Sequence, residues 1–237
     1  MKIRIIIPAR LESSRLPKKL IKTINGKTLI EHVCIRAKKL KADSLIVATD
    51  SNKIKDIVEK NNIDVWYSNK KFNSGTERIA GLVKSHKIDK NDLIINIQGD
   101  EYNFPLNGVR KVIRHLSMSK IDDLATLIFH NNNKQSIVNK DIVKVVINKE
   151  SYAQYFSRAT IPFNSATTTL CHIGIYGYKA SFLWDYSRLS KCPHEVTEKL
   201  EQLRFLWNSI PIKCIPINVN NSISINSPID LKLASKK

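Results

Sequence analysis

The sequence predicts an α/β fold in which a mostly parallel sheet is flanked by helices. Three observations predict it. Short apolar, β-branched runs alternate with amphipathic helical stretches through the first half of the chain. The runs are apolar along their whole length, as strands buried on both faces are. No Gly/Ser/Pro-rich linker and no internal repeat divides the 237 residues, so they read as one domain.

In order, Ile3–Ile7 is a buried strand. Thr28-Leu-Ile-Glu31 has the form of a capping box and opens a helix to about Leu40. Leu45–Thr49 is the next strand and ends at Asp50; Asn52 caps the helix after it, and Val65–Tyr67 is a short third strand. A helix from about Thr76 to Ser85 leads into the strand Leu93–Ile97. Parallel neighbours of this kind need right-handed crossovers. The second half is less regular. Leu124–Phe129, Val143–Ile147, Ile173–Tyr178 and Ile212–Ile217 read as strands, and Glu195–Asn208 as a helix. Asn131–Asn133 and Ser165–Thr169 read as loops. Ser227-Pro-Ile-Asp230 supplies a cap, a proline at the first helical position and an acid in the first turn of a final helix. A subregion of about 122–185 is added to the regular half.

Composition narrows the function classes. Hydrophobic residues make up 42% and charged residues 25%, a globular balance. Pro8 and Arg10 interrupt the first apolar run, and no stretch approaches the roughly 20 residues that span a bilayer. No membrane partner and a cytoplasmic location are expected. Cys34, Cys171, Cys192 and Cys214 are scattered, which suggests neither a disulfide framework nor a zinc site. A net charge of +18 raises nucleic acid as a partner. Most lysines, however, fall singly on helix faces, and no aromatic RNA-binding motif or basic tail accompanies them. No nucleic-acid partner is expected; small anionic substrates suit the charge as well.

Ligands of open α/β sheets bind beyond the carboxyl ends of the strands, and three segments occupy such places. Arg10, Arg15 and Lys19 are spaced along the loop after the first strand, which is either a solvated basic loop or a wrap for a triphosphate. Ser74-Gly-Thr-Glu-Arg78 precedes a helix and is either its cap or part of a site. Gln98-Gly-Asp-Glu101 ends a strand with a carboxylate beside a glycine, either an acidic turn or a magnesium ligand. Neither a dinucleotide-binding glycine fingerprint nor a Walker loop is present.

Taken together, these segments resemble the 3-deoxy-manno-octulosonate (Kdo) cytidylyltransferases, or CMP-Kdo synthetases, of lipopolysaccharide synthesis. The resemblance rests on IIPAR and SSRLP with Lys19, NGK at Asn25–Lys27, VATD at Val47–Asp50, SGTER and QGDE. It continues in VKVV at Val143–Val146, YFSRATIPF at Tyr155–Phe163, HIGIYGY at His172–Tyr178 and LEQLR at Leu200–Arg204. It implies a mixed-sheet, Rossmann-like nucleotidyltransferase fold, a homodimer through the added subregion, CTP and Kdo as substrates, and magnesium as cofactor.

The resemblance also implies roles. Arg10, Arg15 and Lys19 would hold the triphosphate, with Ala9 and the backbone near Thr49 and Asp50 shaping the nucleotide pocket. Arg78 and Gln98 would lie beside cytidine and sugar, and His172, Tyr178, Glu201 and Gln202 would face the sugar. Asp100 would bind magnesium, making Arg10, Lys19 and Asp100 the catalytic set. Read without the resemblance, His172 and the tyrosines are interior strand residues, Glu201 is a helix-surface acid and Arg158 is a brace.

The chain departs from the family pattern at the second magnesium ligand, where Asn226 stands in place of an aspartate. Lys18 and Leu20 replace a glycine and a proline of the first loop, and Tyr102 replaces a proline after QGDE. A neutral Asn226 weakens metal binding, which leaves a weakened CTP-binding protein as one alternative; a cytidylyltransferase for another acid sugar such as a sialic acid is the other.

Overall fold

A computed structural model describes residues 1–13, 15–165, 169–218 and 224–235. The first half runs β1 (Ile3–Ala9), β2 (Thr23–Ile24), β3 (Lys27–Thr28), α1 (Leu29–Lys38), β4 (Ser44–Thr49), α2 (Asn52–Glu59), β5 (Asp64–Tyr67), α3 (Gly75–Ser85), β6 (Leu93–Ile97) and α4 (Leu106–Met118). The second runs β7 (Leu124–Asn131), α5 (Lys134–Val138), β8 (Lys144–Ile147), β9 (Ala153–Ser157), β10 (Thr169–Lys179), α6 (Ala180–Asp185), α7 (Pro193–Glu198), α8 (Leu203–Trp207), β11 (Lys213–Pro216) and α9 (Pro228–Ser235). No helix among the described residues is long and apolar enough to cross a membrane.

The main sheet has the order β11-β7-β10-β6-β1-β4-β5, with β8 pairing β10 and β9 pairing β8. Strands β6, β1, β4 and β5 are mutually parallel. The sheet becomes mixed at β10, which is antiparallel to both β6 and β7, while β11 lies parallel to β7. Alternation along β1 shows why these strands are apolar throughout: Ile5 and Ile7 enter one core and Ile6 the other. Helices α1, α2 and α4 cover the first face through Val33, Ile54, Val58, Val109 and Val112. On the second face lie α3, α6 and α8, with Ile79, Leu183 and Phe205.

The capping box forms as expected. The Glu31 N–H donates to Thr28 Oγ1 at 3.4 Å, and the Thr28 N–H donates to Glu31 Oε2 at 2.7 Å. Several expectations change. Ser51, not Asn52, caps α2 by accepting the Ile54 N–H at 3.4 Å. Helix α4 fills a stretch in which no element was expected; it starts at Pro105 without a side-chain cap, although Val109, Val112 and Leu116 keep helical spacing. The expected helix over 195–208 breaks into α7 and α8 because Lys199 turns left-handed at φ 54°. Of the loop expected over 165–169, residues 166–168 lie outside the described residues, and Thr169 already belongs to β10.

Candidate active site

Since β1, β4 and β6 are parallel, their carboxyl ends deliver Ala9–Arg10, Thr49–Asp50 and Gln98–Asp100 to one edge of the sheet. The start of α3 meets the same edge. Gly75 allows the approach: a Cβ there would stand 3.2 Å from Pro8 Cγ and 3.3 Å from Gln98 Oε1. Ser74 caps the helix by accepting the Glu77 N–H at 3.1 Å. Between these elements and the α7–α8 break lies a cavity of about 470 Å³, lined among others by Ala9, Arg10, Gly75, Arg78, Gln98 and Glu201.

Arg78 is the buried cation of this cavity, only 4% exposed. Its Nη2 donates to Asp50 Oδ2 at 2.5 Å, and its guanidinium lies 5.2 Å from the centre of the Phe72 ring. Its Nη1 is buried and has no acceptor among the described residues. A buried donor left unpaired is costly, and a ligand oxygen in the cavity would satisfy it. Arg10 is exposed at the wall and has no protein partner among the described residues.

A buried chain of hydrogen bonds joins opposite walls. Gln98 Nε2 donates to Asn96 Oδ1 at 3.0 Å, and Asn96 Nδ2 donates to the Tyr178 hydroxyl at 3.4 Å. That hydroxyl lies 3.2 Å from Thr76 Oγ1, which donates to Glu201 Oε1 at 3.0 Å. Gln98 and Glu201 are thus fixed relative to one another through the interior.

Beside the cavity lies a cluster of charges. Lys19 Nζ pairs with Asp100 Oδ2 at 2.5 Å. Arg15 donates through Nη1 to Asp141 and through Nη2 to Asn226 Oδ1, the latter at 3.1 Å. The Asp100 carbonyl accepts from the N–H groups of Ile225 and Tyr102, both at 2.9 Å, which ties the final segment to the end of β6. A proline at 102 would lack the second of these donors. Glu101 is buried; burial, then the neighbouring Asp100, pushes its carboxyl up to about 7, against a Ser224 hydrogen bond and Lys19. Its Oε2 has no partner among the described residues. Asp230 accepts from Asn226 N, Ser227 N and Ser227 Oγ through the same Oδ2, so it closes the cap of α9.

The donor chemistry fits a hard cation such as magnesium in one form. Magnesium is commonly held by one or two carboxylates together with substrate phosphates and water. Among the described residues no group of three His, Cys, Asp or Glu gathers to hold a metal by itself. Asp100, partly exposed with one oxygen on Lys19, matches the single-carboxylate case; Asn226 offers an amide oxygen already accepting from Arg15.

The structure therefore brings Ala9, Arg10, Arg78, Gln98 and Glu201 to the cavity and gathers Arg15, Lys19, Asp100 and Asn226 next to it. Thr49 is buried; its Oγ1 accepts the Ser51 N–H at 3.1 Å and its carbonyl the Ser68 N–H at 3.0 Å, so it shapes the turn that presents Asp50. Three residues expected to face the sugar do not line the cavity. Tyr178 has no exposed surface and sits behind the wall, because its hydroxyl is needed in the Thr76–Asn96 chain. Gln202 is buried at the entrance to α8. His172 lies further along β10, 2.9 Å from Thr126 Oγ1, where burial pushes its imidazole down to about 3 and keeps it neutral. Sequence reasoning missed Phe72, Glu195 and Lys199 on the cavity wall and Asp141 in the cluster. For Lys199 the neighbouring LEQLR motif was a signal; for Asp141 there was none.

The comparisons with known proteins agree with this geometry. The cytidylyltransferase family matches residues 4–215. A 3-deoxy-manno-octulosonate cytidylyltransferase of Psychromonas ingrahamii is 38% identical, over 98% of this chain and 97% of its own. One from Wigglesworthia glossinidia brevipalpis is 41% identical, over 98% of each. The solved structure of CMP:2-keto-3-deoxy-manno-octonic acid synthetase complexed with CTP superposes with a TM-score of 0.90 at 31% identity, covering 100% of this chain and 98% of that one. A putative glucose-1-phosphate thymidylyltransferase from Bacillus anthracis shares the fold at a TM-score of 0.71 and 14% identity. The chain belongs to the 3-deoxy-manno-octulosonate cytidylyltransferase family.

Proposed function

We propose that this chain transfers the cytidylyl group of CTP to 3-deoxy-manno-octulosonate, giving CMP-Kdo for lipopolysaccharide biosynthesis and releasing pyrophosphate. One observation carries the reading: a cavity with an unsatisfied guanidinium nitrogen stands beside a basic loop, on a chain matched end to end by relatives named for this reaction.

The anomeric hydroxyl of the sugar attacks the α-phosphorus of CTP in line with the departing pyrophosphate. No protein nucleophile is needed, and catalysis rests on positioning and neutralisation of charge. Arg10, Arg15 and Lys19 bind the triphosphate and stabilise the leaving group. Arg78 and Gln98 orient nucleotide and sugar, while Glu201, held by Thr76, accepts sugar hydroxyls. His172, Tyr178 and Gln202 support that wall from behind. Asp100 and Asn226 would hold magnesium, and the chemistry such an ion would supply there is neutralisation of phosphate charge and a lower pKa for a bound hydroxyl.

The reading includes a homodimer through residues 122–185, where Val138 and Phe163 are exposed at 69% and 92%; a solution mass of one chain would remove that part. It also includes the cytoplasm, where the four free, buried cysteines remain thiols.

Pyrophosphate release measured with CTP, Kdo and magnesium tests the reaction, with UTP and a sialic acid as controls. Release requiring both CTP and Kdo is expected. Asp100→Asn, at a partly exposed position, should fold normally and lose about two or more orders of magnitude in turnover, the scale of removing one preorganised charge. Near-normal turnover in that variant removes Asp100 from the mechanism.

A further inference from the structure

Arg15 is held on two sides by residues far away in sequence. Nη1 meets the Asp141 carboxylate and Nη2 the Asn226 side-chain oxygen. Asn226 is neutral, so Asp141 brings the negative charge of this arrangement. Both members of the Arg15–Asp141 pair are about half exposed, 49% and 46%. Such pairs often mean little, but the segment that carries Asp141 is fixed from several directions. Lys144, with no exposed surface, donates its ammonium to the carbonyls of Asn139, Ile142 and Arg158 at 3.0, 2.7 and 2.6 Å. The Arg158 guanidinium donates to the Lys140 carbonyl at 2.9 Å, and the Asn139 side chain accepts the Asp141 N–H at 2.8 Å. A buried lysine with all its donors committed and an arginine brace therefore present one exposed carboxylate to the phosphate loop.

We propose that Asp141 is a positioning residue that holds Arg15 and keeps a negative charge beside the phosphate loop, so that the site favours the cation-bound nucleotide over bare CTP. The inference rests on the cytidylyltransferase reading and adds to it a residue and a preference. A carboxylate here repels an unneutralised triphosphate and is tolerated, or favoured, when a divalent cation accompanies it. Asn226 takes the other side of Arg15, so the charge can be carried from either position.

The test is a charge exchange, with CTP binding followed by calorimetry in chelator and in magnesium, and thermal unfolding as a check on folding. In Asp141→Asn, bare CTP should bind about fivefold more tightly and the magnesium needed for half-saturation should rise about fivefold, the upper end for an exposed pair. The exchange D141N/N226D should return the affinity for bare CTP, read in chelator where a metal-ligand role of position 226 has no part, toward wild type. A residue that merely supports the loop would weaken binding in both conditions, and that result overturns the proposal. So does an exchange variant that behaves like D141N alone. Wild-type protein that binds no CTP would overturn the proposal together with the function on which it rests. Wild-type protein that binds CTP, with D141N identical to it, overturns the proposal alone.

Discussion

His172 illustrates how one side chain is set by its surroundings. Its ring packs against Phe156 and Tyr176 at 5.1 and 5.3 Å between centroids, and its Nε2 lies against a threonine hydroxyl rather than a carboxylate. With burial pushing its pKa down to about 3, the folded protein resists a proton that the unfolded chain accepts near 6.5. The unfolded state therefore binds more protons between these values, and stability rises with pH across that window. The contribution is complete above about 6.5 and is lost as pH falls toward 3. Denaturant unfolding at pH 7 and pH 5 should show wild type losing about 1 to 2 kcal/mol more than His172→Gln. Equal losses in the two proteins would mean that the ring is solvated in the fold.

At the level of elements, two left-handed residues decide where the site lies. Lys18 (φ 53°, ψ 34°) immediately precedes the short 3-10 turn Lys19–Ile21, and so aims Lys19 at Asp100. This is the position where the family pattern carries a glycine, and the strain expected from losing it is present in the backbone. Lys18→Gly should stabilise the protein by about 0.5 to 1 kcal/mol, the strain relieved outweighing the added freedom of the unfolded chain. Chemical denaturation checks it, and a loss of stability would show that Lys18 has contacts that outweigh its φ. Lys199 makes the second turn. The pattern from Glu195 to Asn208 kept helical spacing, yet the chain turns at Lys199 and brings Leu200 and Glu201 to the cavity. Glu195 and Arg204 then clamp α7 to α8 through two hydrogen bonds of 2.7 and 2.8 Å. Periodicity could not reveal this break, because a left-handed lysine leaves no mark on an apolar pattern. Strands β1, β4 and β6 were legible because burial on both faces demands continuous apolar residues. The GIYGY motif pointed to the right neighbourhood but not to the wall itself, since the Tyr178 hydroxyl is satisfied inside. Asp141, 126 residues from Arg15, is brought there by β8, which pairs with both β10 and β9.

Across the whole molecule, the mixed sheet joins a parallel half carrying the nucleotide edge to an antiparallel extension carrying Asp141 and Arg158, the latter donating to the Glu198 carbonyl at the end of α7. The charge of +18 is spread over this frame, while the cations of the site are largely spoken for. Arg15 faces Asp141, Lys19 faces Asp100 and Arg78 faces Asp50. Long-range attraction for CTP must therefore come from the distributed surface charge more than from the paired residues, and distributed charge is screened over about 10 Å at 0.1 M salt. Buried, paired groups such as Arg78 are screened far less. Raising the ionic strength from about 0.05 to 0.5 M with a non-binding salt should thus lower kcat/KM for CTP by about tenfold or more while changing kcat by less than about twofold. If kcat fell in parallel, the salt would be acting on the charges at the reacting phosphate, and the surface field would have no part in gathering the substrate.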